Sequence, residues 1–294
     1  MTIYVLNLVC PDKPGIVAAV SSFLCAQNMN ITQSNQFGDA DTGRFFMRVG
    51  FEKTKEKTKD KANKKQTQTD IEALKSAFAP LGENWAMDWQ IYDMAQKPRA
   101  LILVSKFDHC LVDLLYHTQA ATLNMDIVGV FSNHETTRHL VVRENIDFHY
   151  QAISAETKSE SETYLRRLID ETGAELLILA RYMQILSPAF CDNMVGQIIN
   201  IHHSFLPSFK GAVPYSRAYE RGVKMIGATA HYVTSKLDEG PIIAQNVAAV
   251  RHDMNVAQMV KTGREVEQTV LIQAVAAHIE RRVLLNGHKT VVFT

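Results

Sequence analysis

Residues 199–245 read INIHHSFLPSFKGAVPYSRAYERGVKMIGATAHYVTSKLDEGPIIAQ. The apolar run 197–201 has the make-up of a strand buried on both faces of a parallel sheet. It breaks into a polar burst of Asn200, His202, His203 and Ser204. Open α/β sheets carry their sites in loops beyond the carboxyl ends of parallel strands. A second apolar run, 226–233, leads into a polar loop, 235–240, that holds Asp238 and Glu239. Two strand ends therefore offer an amide, imidazoles and carboxylates.

That set has chemical meaning. An imidazole moves protons near neutral pH. A carboxylate fixes its tautomer or shares a water with it, and an amide N–H holds a developing oxyanion. No cysteine lies in the stretch, and Ser204 lacks the G-x-S-x-G context of a serine nucleophile. The residues point to direct acyl transfer or to attack of water on a carbonyl. Spacing alone leaves a structural reading open beside this one. In it Asn200 caps a turn, Asp238 sits in a type I turn before Gly240, and His202 packs.

Asn200-x-His202, then Ser204-x-Leu206-Pro207, Gly211 and Leu237-Asp238-x-Gly240-Pro241 together resemble the folate-dependent formyltransferase family, over roughly residues 98–294. The resemblance implies a catalytic trio of Asn200, His202 and Asp238 around the formyl carbon of 10-formyltetrahydrofolate. It implies a folate pocket bordered by Arg181, Tyr182, Met183, Ile185 and Leu186, with Ser235 and Gly240 opposite. Folate is then the substrate, with no further cofactor and no metal. In this family the glycinamide ribonucleotide enzymes carry a Gly-rich phosphate loop after the first strand. The corresponding segment here, Ser105-Lys106-Phe107-Asp108-His109-Cys110, has no glycine, so a close backbone approach to phosphate is not expected.

The N-terminal third reads differently. Residues 2–9 suggest a strand and 11–15 a turn. Ile16, Val17, Val20, Phe23 and Leu24 recur at helical spacing. Strands follow near 31–37 and 45–49 around an Asp41-Thr42-Gly43 turn, then a helix over 69–78 and a strand over 85–91. The order βαββαβ is ferredoxin-like. Cys10-Pro11-Asp12 with Gly15-Ile16-Val17, Asn30-Ile31 and Gly43-Arg44-Phe45-Phe46-Met47-Arg48 resembles an ACT domain. Such domains bind small amino acids between paired copies. This implies a homo-oligomer joined through residues 1–92 and an effector, methionine or glycine, held by Asp12, Gly15, Ile16, Asn30 and Ile31. The fold expected is therefore α/β: a ferredoxin-like ACT domain at 1–92, a linker at 93–98, and a Rossmann-like formyltransferase domain at 99–294. The pairing is similar to the hydrolytic branch of the family, which releases formate and tetrahydrofolate, supplying formate for purine synthesis and balancing one-carbon folates. Transfer to another acceptor and a catalytically silent amino-acid sensor are the alternatives.

Composition bounds these readings. At 294 residues and 46% hydrophobic the chain is long enough for two cores. Its formal net charge is zero, which gives no general pull toward nucleic acid or anionic membrane. The Lys-rich tract 53–69 lacks the interleaved aromatics that base stacking wants and reads as a solvated loop. No apolar run spans a membrane, and no signal peptide precedes the first strand. Cys10, Cys25, Cys110 and Cys191 are scattered without metal spacing, as in a reduced cytoplasmic protein.

Overall fold

The computed structural model describes residues 3–54, 71–154, 156–206 and 214–294. The Lys-rich tract beyond Thr54, and Pro207 and Gly211 of the formyltransferase-like pattern, lie outside the described residues. The chain divides into two compact units. The first holds Met1–Gln96 with Glu280–Leu284 and Val291–Thr294, and the second Lys97–Ile279 with Leu285–Thr290.

The first unit runs β1 (Ile3–Pro11), α1 (Ile16–Ala26), β2 (Met29–Asp39), β3 (Arg44–Lys53), α2 (Ile71–Asn84) and β4 (Asp88–Asp93). The sheet order is β2-β3-β1-β4, all antiparallel. Alternation sends Leu6, Leu8, Cys10, Met47 and Val49 to one face, where Ile16, Val20 and Leu24 of α1 and Leu74 and Phe78 of α2 cover them. The helix expected over 69–78 continues to Asn84. Ala86, at φ 49°, ends the turn, so Trp85 packs on the core instead of opening the last strand.

The opposite face of this sheet needs a cover too, and here the structure corrects the expected boundary at Thr294. Leu284, Val291 and Phe293 pack on Val9 and Phe46. Arg48, buried in the same face, donates to the carbonyls of Glu280 (3.0 Å) and Arg281 (3.2 Å), and Asn7 Nδ2 donates to Arg281 as well (2.9 Å). Residues 280–284 and 291–294 group with the first unit because they supply this second layer.

The second unit runs β5 (Arg99–Val104), α3 (His109–Gln119), β6 (Asp126–Ser132), α4 (Arg138–Arg143), β7 (Phe148–Tyr150), α5 (Lys158–Thr172), β8 (Leu176–Leu179), α6 (Pro188–Asp192), β9 (Ile198–His202), α7 (Pro214–Glu220), β10 (Met225–Tyr232), β11 (Ile242–Ala249) and α8 (Val256–Ile279). The short hairpin β12 (Val283–Asn286) and β13 (Lys289–Val292) follows. The sheet order is β11-β10-β9-β8-β5-β6-β7. The five strands from β9 to β7 are parallel, and the central β5 and β8 bury apolar side chains on both faces. Strand β10 turns antiparallel on β9, and β11 antiparallel on β10. The order leaves β5 toward β6 and β7 on one side and toward β8 and β9 on the other, which makes the β5–β8 carboxyl ends a switch point.

Phe46 tests the returning layer. Phe46→Ala is expected to destabilise the protein by about 3–5 kcal/mol, as a fully buried aromatic does. A urea midpoint within error of wild type would contradict that packing.

Candidate active site

A cavity of about 810 Å³ opens at the carboxyl ends of the parallel strands. β9 delivers Asn200 and His202 to it, and the connection from β10 to β11 delivers Asp238. β10 runs against β9, so that connection starts at the wrong end of the sheet and must fold back. Gly240 permits it: a Cβ there would stand 1.7 Å from the Tyr232 carbonyl oxygen. Tyr232 also donates its N–H to the Pro241 carbonyl at 2.9 Å. Asp238, in the left-handed region at φ 55°, then meets His202, with Nδ1 to Oδ1 at 3.3 Å. The hydrogen bond from His202 holds the Asp238 carboxyl below its usual value despite partial burial.

His202 is buried, and among the described residues its Nε2 has no hydrogen-bond partner. With Asp238 taking the Nδ1 proton, the free nitrogen is the one left to exchange protons. His203 stacks on His202, ring centroids 5.0 Å apart. Burial first, then the nearby Arg181 guanidinium and His202, push its pKa down to about 4, so it is neutral near pH 7. Asn200 faces the same cavity, its Nδ2 3.2 Å from His231 Nε2.

A second polar cluster shares the cavity wall. Glu267 of α8 is 1% exposed. It receives Tyr215 Oη–H at 2.9 Å on one oxygen and His109 Nε2 at 2.8 Å on the other. Arg181 Nε stands 3.4 Å away, an ion pair without hydrogen-bond alignment. Burial raises the Glu267 pKa, but the His109 hydrogen bond, Arg181 and Tyr215 outweigh it and hold it below the ordinary value. Phe107 lies under both Arg181 and Arg264, each 5.3 Å from its ring centre.

His109, Cys110 and Glu267 place ligand-type atoms within 4.8 Å of one another. The chemistry does not suit a metal ion. Burial drives the Cys110 thiol well up, both Glu267 oxygens are engaged, and Arg181 already supplies a positive charge.

The sequence-derived folate residues Arg181, Tyr182, Met183, Ile185, Leu186 and Ser235 line the cavity, and Gly240 lies behind it in the fold-back. Met183 and Ile185 are more than half exposed, which leaves apolar side chains free in the opening. Ser105 orders this wall by accepting the Met183 N–H at 3.0 Å while donating to Asn133 at 2.6 Å. His109, Tyr215, His231, Arg264 and Glu267 line it as well. Sequence reading did not single these out.

The residues of the first unit expected to hold an effector are not brought together within one chain. Asp12 and Gly15 follow the end of β1, where Pro11, Arg44 and Asp39 are in register. Asn30 is in register with Glu52 and Ile3 at the opposite end, roughly 25 Å away at ~3.3 Å per residue. Ile16 is 2% exposed in the core, and Gly15 abuts Trp85. Ile16 therefore offers no side chain to a ligand.

Comparison with known proteins follows these lines. A family profile described as Formyl transferase matches residues 98–275, and one described as ACT domain matches residues 4–66. The chain is 48% identical to the formyltetrahydrofolate deformylase of Corynebacterium sp. (strain P-1), covering 98% of this chain and 97% of that one. It is 45% identical to the protein of that name from Bacillus subtilis (strain 168), over 97% and 91% of the two chains. The crystal structure of formyltetrahydrofolate deformylase from Burkholderia mallei superposes with a TM-score of 0.92 at 44% identity, covering 100% of each chain.

The Glu267 cluster fixes the sign of a pH effect. A carboxyl whose folded pKa lies below its unfolded one contributes fully above the unfolded value and loses that contribution as pH falls through the folded value. Glu267→Gln is therefore expected to lower the Tm at neutral pH, with the gap to wild type closing below the ordinary glutamate value of 4.5. Parallel thermal melts from neutral to strongly acid pH check this, and a gap that does not change with pH would contradict it.

Proposed function

The chain belongs to the formyl transferase family, and from that membership we propose that it hydrolyses 10-formyltetrahydrofolate to formate and tetrahydrofolate. The observation that carries the chemistry is the buried Nε2 of His202, unpartnered among the described residues, backed by Asp238 at 3.3 Å and flanked by Asn200 in one cavity. Folate lies along the apolar wall of Met183, Ile185 and Leu186. Water attacks the formyl carbon, and an Asn200 N–H steadies the oxygen as it gains charge. His202 takes the proton from water through Nε2 and returns it to N10 as the N10–C bond breaks. Formic acid leaves with the water oxygen and the second water proton, which it gives up to solvent as formate, and tetrahydrofolate keeps the returned proton. Asp238 holds the imidazole in the Nδ1–H tautomer and steadies its charged form. The reaction so written draws on no cofactor besides its folate substrate. Its formate feeds purine synthesis and its tetrahydrofolate returns to the one-carbon pool. The four free cysteines accord with a reducing cytoplasmic setting. Among the described residues no helix is long and apolar enough to cross a membrane.

The first unit serves regulation and assembly in this reading. β2 is an 11-residue edge strand, mostly exposed, with one row of backbone groups open. Two copies laid antiparallel along β2 would bring the Asp12–Gly15 end of one to the Asn30–Ile31 end of the other. A small amino acid, methionine or glycine, bound there would bridge two chains.

His202→Ala and Asp238→Asn are each expected to cut kcat for formate release by about 10²–10⁴-fold in folded protein. Release should need no amine acceptor. Near-wild-type turnover in either variant, or formyl transfer to glycinamide ribonucleotide as fast as formate release, would count against the reading. Asn30→Ala is expected to weaken calorimetric binding of the effector and leave basal formate release intact. Absence of heat with both methionine and glycine on the wild-type protein would remove the effector.

A further inference from the structure

We infer that His231 is a positioning residue that locks the Asn200 amide into the one orientation able to present an N–H to the reacting formyl oxygen. The inference rests on the hydrolytic reading of the site. His231 is 2% exposed and stands directly opposite Asn200 on the neighbouring antiparallel strand. Its Nδ1 lies 2.8 Å from the Tyr232 carbonyl oxygen. A carbonyl only accepts, so Nδ1 carries the proton. In the neutral ring Nε2 is then a bare lone pair. Burial favours that neutral ring, with His202 adding to it, against the pull of the Tyr232 carbonyl and Asp238. A bare Nε2 only accepts. The Asn200 atom 3.2 Å from it must therefore be the amide nitrogen. A flipped amide would set its oxygen against the lone pair.

Asp238 Oδ1 is the other charged group near Nε2, at 3.8 Å, beyond hydrogen-bond reach. An Nε2–H tautomer could turn to it only by giving up the Tyr232 carbonyl. That carbonyl is itself held, because the α-carbon of Gly240 is pressed against it with no room for a Cβ. The order of control runs from the Gly240 fold-back to Tyr232, to the His231 proton, and to the face that Asn200 shows. One amide N–H is spent on His231 and the other stays for the substrate.

The test is a cycle of kcat and KM for formate release with His231→Phe, which keeps a ring and removes the acceptor. It is run in the wild-type and Asn200→Ala backgrounds, with Tm measured for each. In the wild-type background His231→Phe should lower kcat by about ten- to a hundredfold, with KM changed by less than about threefold. His231→Gln, which retains an acceptor oxygen, should recover part of the loss. In Asn200→Ala the same change should cost less than about twofold, because residues acting through one group are not additive. Equal losses in both backgrounds, or full turnover in folded His231→Phe, overturn the positioning role. Full turnover by Asn200→Ala alone removes the oxyanion role and this inference with it. If His231→Phe does not fold, two-bond proton–nitrogen spectra of the imidazoles in the full chain decide. The Nδ1–H tautomer at His231 is expected, and the Nε2–H tautomer overturns the inference.

Discussion

Placing a carboxylate where water cannot reach it costs several kcal/mol unless its oxygens are fully partnered. Glu267 sets that demand at the centre of the second unit. Its partners come from the start of α3, the end of β8 and the start of α7, and it rides on α8. Four separate elements are thereby held at fixed distances around one cavity. Removing any one partner leaves the charge short of a donor, so the arrangement resists piecemeal loosening. Arg181 is drawn into its left-handed backbone conformation here, and the wall segment after it is carried into the opening.

The same cavity takes its second set of polar groups from a change in strand direction. Parallel strands all end at the site, and β10 does not. Its connection to β11 reaches His202 only because Gly240 can lie flat on a carbonyl. A carboxylate that must back an imidazole is thus supplied by a turn, and the turn is rigid because its glycine is wedged. His203 and His231 are both held neutral by burial, so the cavity can contain several imidazoles without accumulating positive charge.

Much of this was readable from residue order. The βαββαβ order and the parallel strands followed from periodicity, and the Asn200, His202 and Asp238 spacing drew attention to groups that do meet. Other features left no local trace. Glu267 meets His109 across 158 positions and Tyr215 across 52, so the cluster has no spacing to recognise. In α8 it reads as one more polar residue of an amphipathic helix. His231 sits in an apolar strand, where a histidine looks like packing; its register opposite Asn200 gives it a partner. Ile16 adjoins a turn, yet helical phase turns its side chain to the core. Residues 280–284 and 291–294 are short runs, and what draws them to the first unit is the bare second face of a sheet built over 200 positions earlier.

That return has a temporal side. On a ribosome, residue 293 follows residue 46 by 247 positions, or roughly 12–50 s at about 5–20 residues per second. Throughout that interval Phe46 and Val9 lack the side chains that cover them, and the Arg48 guanidinium lacks the two carbonyls that take its protons. The N-terminal sheet therefore leaves the tunnel early with one sticky face, beside the edge strand β2. The order of synthesis and the order of structural completion are opposed in this chain. During its making an apolar face and a strand edge stay open together, the combination that exposes a nascent chain to aggregation.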